Sequence, residues 1–117
     1  MANPQKENGH TEIAHEILEA LAQTPLSDYE SRFIFILFRK TYGYHKKIDG
    51  ISPSQICEGT KMLKFHEWRV RKRLIERRIV TQIGNQIGIN KDYSQWKDRK
   101  GVTYLGIEVT QIGNQKL

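Results

Sequence analysis

The sequence predicts a mainly α domain closed by a small β-hairpin, and three observations predict it. Two capping boxes, Ser27-Asp28-Tyr29-Glu30 and Ser52-Pro53-Ser54-Gln55, mark helix starts, because a Ser hydroxyl and a Glu or Gln side chain satisfy the first free amides reciprocally. Residues 61–78 carry eight Lys/Arg (Lys61, Lys64, Arg69, Arg71, Lys72, Arg73, Arg77, Arg78) against only Glu67 and Glu76, with Phe65, His66 and Trp68 interleaved. Gly84-Asn85 stands between two short β-prone runs, a two-residue hairpin signal.

With 117 residues and a hydrophobic fraction of 38%, the chain has length for one compact domain and too little apolar material for every segment to join a core. The net charge of +6 is unevenly placed: residues 1–60 carry six Lys/Arg and eight Asp/Glu, residues 61–117 thirteen and five. Positive charge gathered behind one boundary suits an anionic partner. Cys57 is the only cysteine, so an intramolecular disulfide and a cysteine-ligated zinc are both excluded. No apolar run is long enough to span a bilayer, and MANPQKENGH lacks the apolar centre of a signal peptide, so the expected setting is a reducing cytoplasm. Composition leaves DNA, RNA and anionic membrane surfaces as anionic partners, of which the motifs that follow favour double-stranded DNA and no membrane.

In chain order, residues 1–10 are polar and predict a flexible arm. Thr11 reads as an N-cap, and Ile13, Ala14, Ile17, Leu18 and Leu21 recur at helical spacing, which predicts an amphipathic helix over 12–22. A second helix is expected over 28–42, with Gly43 as its left-handed terminator. Its interior, Phe33 to Phe38, is apolar on all sides, which predicts a central helix surrounded by neighbours. Arg39, Lys40, Tyr42, Tyr44, His45, Lys46 and Lys47 form a second basic and aromatic patch, followed by a turn at Asp49-Gly50 and a short strand at Ile51. A third helix starts with Ser52 as cap and Pro53 in its first turn and ends near Gly59. After a turn over 60–63, the basic helix runs over about 64–78, with Leu63, Val70 and Leu74 on its packed side and Trp68, Ile75 and Ile79 farther round. Phe65, His66, Arg69, Lys72, Arg73 and Arg77 occupy the opposite arc, while Glu67 and Arg71 interrupt the packed side at a spacing that lets them pair. In the hairpin, pairing Ile83 with Gln86 sets Val80 opposite Ile89 and Gln82 opposite Ile87. This order of elements is that of a winged helix-turn-helix over 11–96, with an uncharged wing between residues 79 and 90.

Several runs carry a resemblance: Glu19-Ala20-Leu21-Ala22-Gln23-Thr24-Pro25-Leu26-Ser27, then Arg39-Lys40-Thr41-Tyr42-Gly43-Tyr44-His45-Lys46-Lys47, then Ile51-Ser52 with Ser54-Gln55-Ile56, and Asn90-Lys91-Asp92-Tyr93-Ser94-Gln95-Trp96. Over roughly residues 8 to 96 the chain resembles the N-terminal domain of the lambda-type phage replication protein O family. The resemblance implies a winged-helix domain that binds repeated sites in a phage replication origin, as a homodimer or pair of domains on double-stranded DNA, and so begins assembly of the host helicase. Contact with the helicase loader belongs to a C-terminal region of the family and is not expected from this segment. His66 and Arg69 match the family. The chain departs from it at Lys61 and Leu63, where the family carries Gly and Ser, at Glu67, where it carries a small apolar residue, and at Arg71, where it carries Leu.

An α-helix fits the major groove, where Arg reads guanine bidentately and exposed polar or aromatic groups meet other base edges. Phe65, His66, Arg69 and Arg73 are the base-reading candidates. Lys46, Lys47, Lys61, Lys64, Lys72 and Arg77 are phosphate candidates, together with the helix start at Ser54 and Gln55. His10, His15, His45 and His66 lack metal-ligand spacing, and no phosphate loop, carboxylate pair or nucleophile motif is present, so no metal, cofactor or enzyme activity is expected. Cys57 reads as core, and Trp96 as packing at the end of the domain. Beyond residue 96 the heptapeptide Val80 to Gln86 recurs letter for letter as Val109 to Gln115, either as linker repeat or as extra strand. Three functions fit these residues: a phage replication initiator, a winged-helix transcriptional repressor, and a basic module for an acidic protein partner.

Overall fold

A computed structural model describes residues 1–98. The expected linker or extra strand in the tail, with the second heptapeptide copy, lies outside the described residues. Four helices, α1 (His15–Ala22), α2 (Asp28–Lys40), α3 (Pro53–Thr60) and α4 (Lys64–Glu76), pack with three strands, β1 (Ile48–Asp49), β2 (Val80–Ile83) and β3 (Gln86–Ile89). The strands form one antiparallel sheet in the order β1-β3-β2.

Both capping boxes form. Ser27 Oγ accepts from the Glu30 amide at 3.1 Å while Glu30 Oε1 accepts from the Ser27 amide at 2.7 Å. The Ser52 and Gln55 pair repeats this at 3.2 and 2.9 Å, with Pro53 in the first turn where its missing N–H has no partner to lose. The first helix is shorter than its periodicity predicts. It begins at His15 after an extended Ala14 with no side-chain cap, so Thr11 does not cap it. Ile13 still packs against the core, from outside the helix, and mimics helical spacing from there.

At the end of α2 the prediction of a left-handed Gly43 fails. The helix stops at Lys40, residues 42–44 form a 3-10 turn, and the left-handed residue is His45, at φ 61°. Gly43 is small for a different reason: a Cβ there would press on the Arg39 guanidinium and the Thr11 hydroxyl. Phe33, Ile34, Leu37 and Phe38 enter the core, but Phe35 is 71% exposed, so neighbours surround α2 on most sides only. Ile36 lies where a Cβ on Gly59 would collide with it, and the glycine lets α3 close on α2.

The short strand falls at Ile48–Asp49 rather than at Ile51, which is a buried core residue. β1 joins the sheet opposite Gly88 and Ile87, and the absence of a side chain at Gly88 leaves room for the Lys47 carbonyl. The hairpin register is the one the sequence predicts, Val80 with Ile89, Gln82 with Ile87 and Ile83 with Gln86, turning through Gly84 at φ 60°. Trp96 is buried at the domain's end, its indole N–H donating to the Asn90 carbonyl at 2.8 Å. Cys57 is half-buried rather than fully in the core.

Candidate nucleic-acid interface

α3 and α4 meet at a tight turn. Thr60 ends α3 with its hydroxyl donating to the Ile56 carbonyl at 2.7 Å, Lys61 takes a left-handed conformation at φ 63°, and Met62 plugs the core. Leu63 then occupies the N-cap of α4 with no side-chain bond to offer, and its side chain is exposed instead of joining Val70 and Leu74. Lys61 and Leu63 are the two positions at which the resemblance expects Gly and Ser. Left-handed backbone favours glycine and an N-cap favours serine, so the turn's geometry explains both preferences.

The phase of α4 is rotated from the predicted one. Its buried residues are Glu67, Val70 and Leu74, and Arg77 at the helix end is buried with them. At 3.6 residues per turn these positions make one stripe. The charges in this stripe are paired, Glu67 with Arg71 of the same helix and Arg77 with the buried Glu30 of α2. Arg71 Nε donates to Glu67 Oε2 at 2.7 Å, with its guanidinium 5.6 Å from the centre of the Phe33 ring. Arg77 is 4% exposed and Glu30 0%, and Arg77 Nη1 donates to Glu30 Oε2 at 3.1 Å. Its Nη2 donates to the Pro25 carbonyl at 2.8 Å and its Nε to the Lys97 carbonyl at 2.9 Å. Arg77 is therefore an internal tie between α2, α4 and the end of the domain, and its assignment as a phosphate contact is corrected.

The opposite face of α4 is left to solvent, and holds Lys64, Phe65, Trp68, Arg69, Lys72, Arg73 and Glu76. Trp68, which the sequence placed toward the packed side, is 61% exposed on this face. Two of the cations and the two large rings are organised by i,i+4 geometry: the Arg69 guanidinium lies 5.2 Å from the centre of the Phe65 ring, and Lys72 Nζ lies 5.4 Å from that of Trp68. Trp68, Arg69, Lys72, Arg73 and Glu76 border an open groove of about 260 Å³. His66 is half-buried at the border of the face, 4.8 Å from the rings of both Tyr29 and Phe65. Of the base-reading candidates, Phe65, Arg69 and Arg73 share the open face, and His66 is held against α2.

The other phosphate candidates are more scattered. Lys61 and Lys64 flank the start of α4, and Ser54 and Gln55 are exposed in the first turn of α3. Lys46 pairs with Asp49 at 3.6 Å and, with Lys47, Glu12, Tyr42, His45 and Lys91, lines a separate concavity of about 230 Å³. The two hollows share no residue. Among the described residues no cluster of three or more His, Cys, Asp or Glu could hold a metal ion, and no helix is long and apolar enough to cross a membrane.

Fold and site define a small helical domain, braced by a short sheet, whose most basic helix turns a cationic and aromatic face outward. The chain belongs to the family described as Bacteriophage replication protein O, whose model matches residues 3–96. It is 37% identical over 93 residues to "DNA replication protein gp18" of Salmonella phage P22, covering 80% of this chain and 34% of that protein. It is 30% identical over 90 residues to "Replication protein O" of Escherichia phage lambda, covering 77% and 27%. With "Replication protein 15" of Enterobacteria phage phi80 the identity is 31% over 93 residues, covering 76% and 31%. The chain thus spans about a third of the length of these relatives. No solved structure matches it.

Proposed function

We propose that this chain is the origin-recognition part of a phage replication initiator: a winged helix-turn-helix domain that binds repeated double-stranded sites without catalysing a reaction. The outward face of α4, in a member of a phage replication family, is the observation that carries the reading. The winged-helix reading is supported by the order helix, helix, strand, helix, helix, hairpin, with β1 completing a sheet in the order β1-β3-β2.

In this reading α4 enters the major groove. Arg69 and Arg73 offer bidentate donors to guanine, and Phe65 gives an apolar edge. Lys61, Lys64 and Lys72 meet phosphates on either side of the groove, and another meets the first turn of α3 through the exposed Ser54, whose amide the capping box leaves untaken, and the Gln55 side of that turn. The hairpin has no Lys or Arg between residues 79 and 90, so it adds little phosphate contact and the helix bears most of the affinity. Two copies on adjacent repeats, acting in the host cytoplasm, complete the proposal. The domain itself extends over 11–96, and helicase loading falls to other parts of a longer protein.

A binding selection on random duplex DNA tests this. The expected result is a single preferred site that recurs in tandem within the chain's own coding region or beside it. Isolated recovered sites at promoters would favour a repressor. Weak, sequence-independent binding, unchanged when Arg69 and Arg73 are both replaced by Ala, would overturn the proposal.

A further inference from the structure

The rotation of α4 leaves Trp68 in a position that the basic residues alone do not explain. A tryptophan is the side chain that gains most from burial, and this one stands 61% exposed in the middle of the chain's most cationic segment. It lies one turn from Phe65, itself exposed, and the two rings are each overlaid by the cation four residues on, Arg69 for Phe65 and Lys72 for Trp68. The groove beside Trp68 is bordered by Arg69, Lys72 and Arg73, with Glu76 the one acidic side chain. An apolar protein partner seated there would have to bury three cations without acceptors, which is unfavourable. A polyanion with apolar groups between its charges meets no such penalty, and duplex DNA is one. In the major groove, the apolar group available to a side chain is the thymine C5-methyl.

We infer that Trp68 is a specificity-determining residue that reads a thymine methyl in the major groove, with Lys72 leaving the ring to meet a neighbouring phosphate. This rests on the proposed function and names a base class for it. The aromatic face is pre-organised by the cation that covers it in the free protein. On DNA the cation gains a stronger partner in the phosphate, and the ring exchanges the cation for the methyl group. The recognised repeat therefore contains at least one A·T pair whose thymine lies against the start of α4, beside the guanines expected for Arg69 and Arg73.

The test uses the full chain and the site recovered by selection, with each thymine replaced in turn by deoxyuridine, which removes only the methyl. At one or two positions the affinity should fall about fourfold, the worth of one buried methyl group. Trp68→Ala should bind the thymine and deoxyuridine duplexes equally at that position, and circular dichroism and thermal melting show whether this variant is folded. Trp68→Phe, which keeps an aromatic face, should retain part of the discrimination. A second readout is spectroscopic. The chain has two tryptophans and Trp96 is buried, so the fraction of emission open to an aqueous quencher reports Trp68 and should be protected by DNA. A recovered site indifferent to every methyl removal, or a Trp68 that stays open to quencher in the complex, overturns this inference and leaves the proposed function standing. Failure to recover any preferred site overturns both.

Discussion

Glu30 and Arg77 lie 47 positions apart and make a closed, buried ion pair. Such a pair gives little net stability over an apolar replacement, but removing one partner strands the other charge. Arg77→Met should therefore destabilise the domain by about 3–5 kcal/mol in urea unfolding, and Glu30→Met combined with it should recover much of that loss. Nothing local marks Arg77 as different from Arg73: both are basic and close in sequence, and only the burial of Glu30 draws one of them inward. Tyr42 gives a second prediction at this scale. Its hydroxyl is buried without a hydrogen-bond partner, and burial raises its pKa above the ordinary 10.0 because the charged form loses solvation. The unfolded chain gives up that proton first as pH climbs past 10, so the stability present below this point is lost as pH rises toward the folded value. Tyr42→Phe should flatten that alkaline limb in denaturation measured against pH.

At the scale of elements, the turn between α3 and α4 is built from unfavoured residues. Lys61 holds a left-handed φ of 63° and Leu63 caps α4 with no side-chain oxygen to accept from the free amides. Lys61→Gly relieves a backbone conformation that costs a side-chain-bearing residue about 1–2 kcal/mol. Leu63→Ser supplies the missing cap, for a gain of about 1 kcal/mol, and gives up no burial because Leu63 is exposed. Both should raise the unfolding midpoint, and together they should add, unless the flexible glycine lets α4 shift against α3. Within α4, the pairing of Glu67 with Arg71 was legible from their spacing. So was their place on the packed side; that Arg77 would find a buried partner in Glu30 was not, and the packed stripe is turned so that Trp68 leaves the core and Arg77 joins it. A helical wheel weights each residue by its own polarity, whereas two opposed charges four residues apart enter a core as one nearly neutral unit.

For the whole molecule, charge is separated by depth. The basic half of the chain places two arginines, Arg71 and Arg77, against internal carboxylates and the rest of α4's cations in solvent. The two groups should respond differently to salt when binding to duplex DNA is measured. Lys64→Gln or Lys72→Gln should reduce the slope of log affinity against log salt by about one unit. Arg77→Met should leave the slope unchanged in whatever fraction of the protein is folded, since it makes no phosphate contact. Equal slope changes for all three would show Arg77 exposed to phosphates and refute its internal role.

The sequence by itself determined the helices that start at capping boxes, the hairpin and its register, the buried Trp96 and the concentration of cations and aromatics on one helix. Each depends on residues within a few positions of one another, where hydrogen-bond geometry and side-chain period act directly. Tertiary structure decided where α1 begins, which residue turns left-handed after α2, the third strand at Ile48–Asp49, and which way α4 faces. Those depend on what a segment meets from elsewhere in the chain: Gly88 admitting the Lys47 carbonyl, Glu30 claiming Arg77, Phe33 underlying Arg71. The free energy of burial is shared between distant partners, and no local pattern records which partner a residue will find.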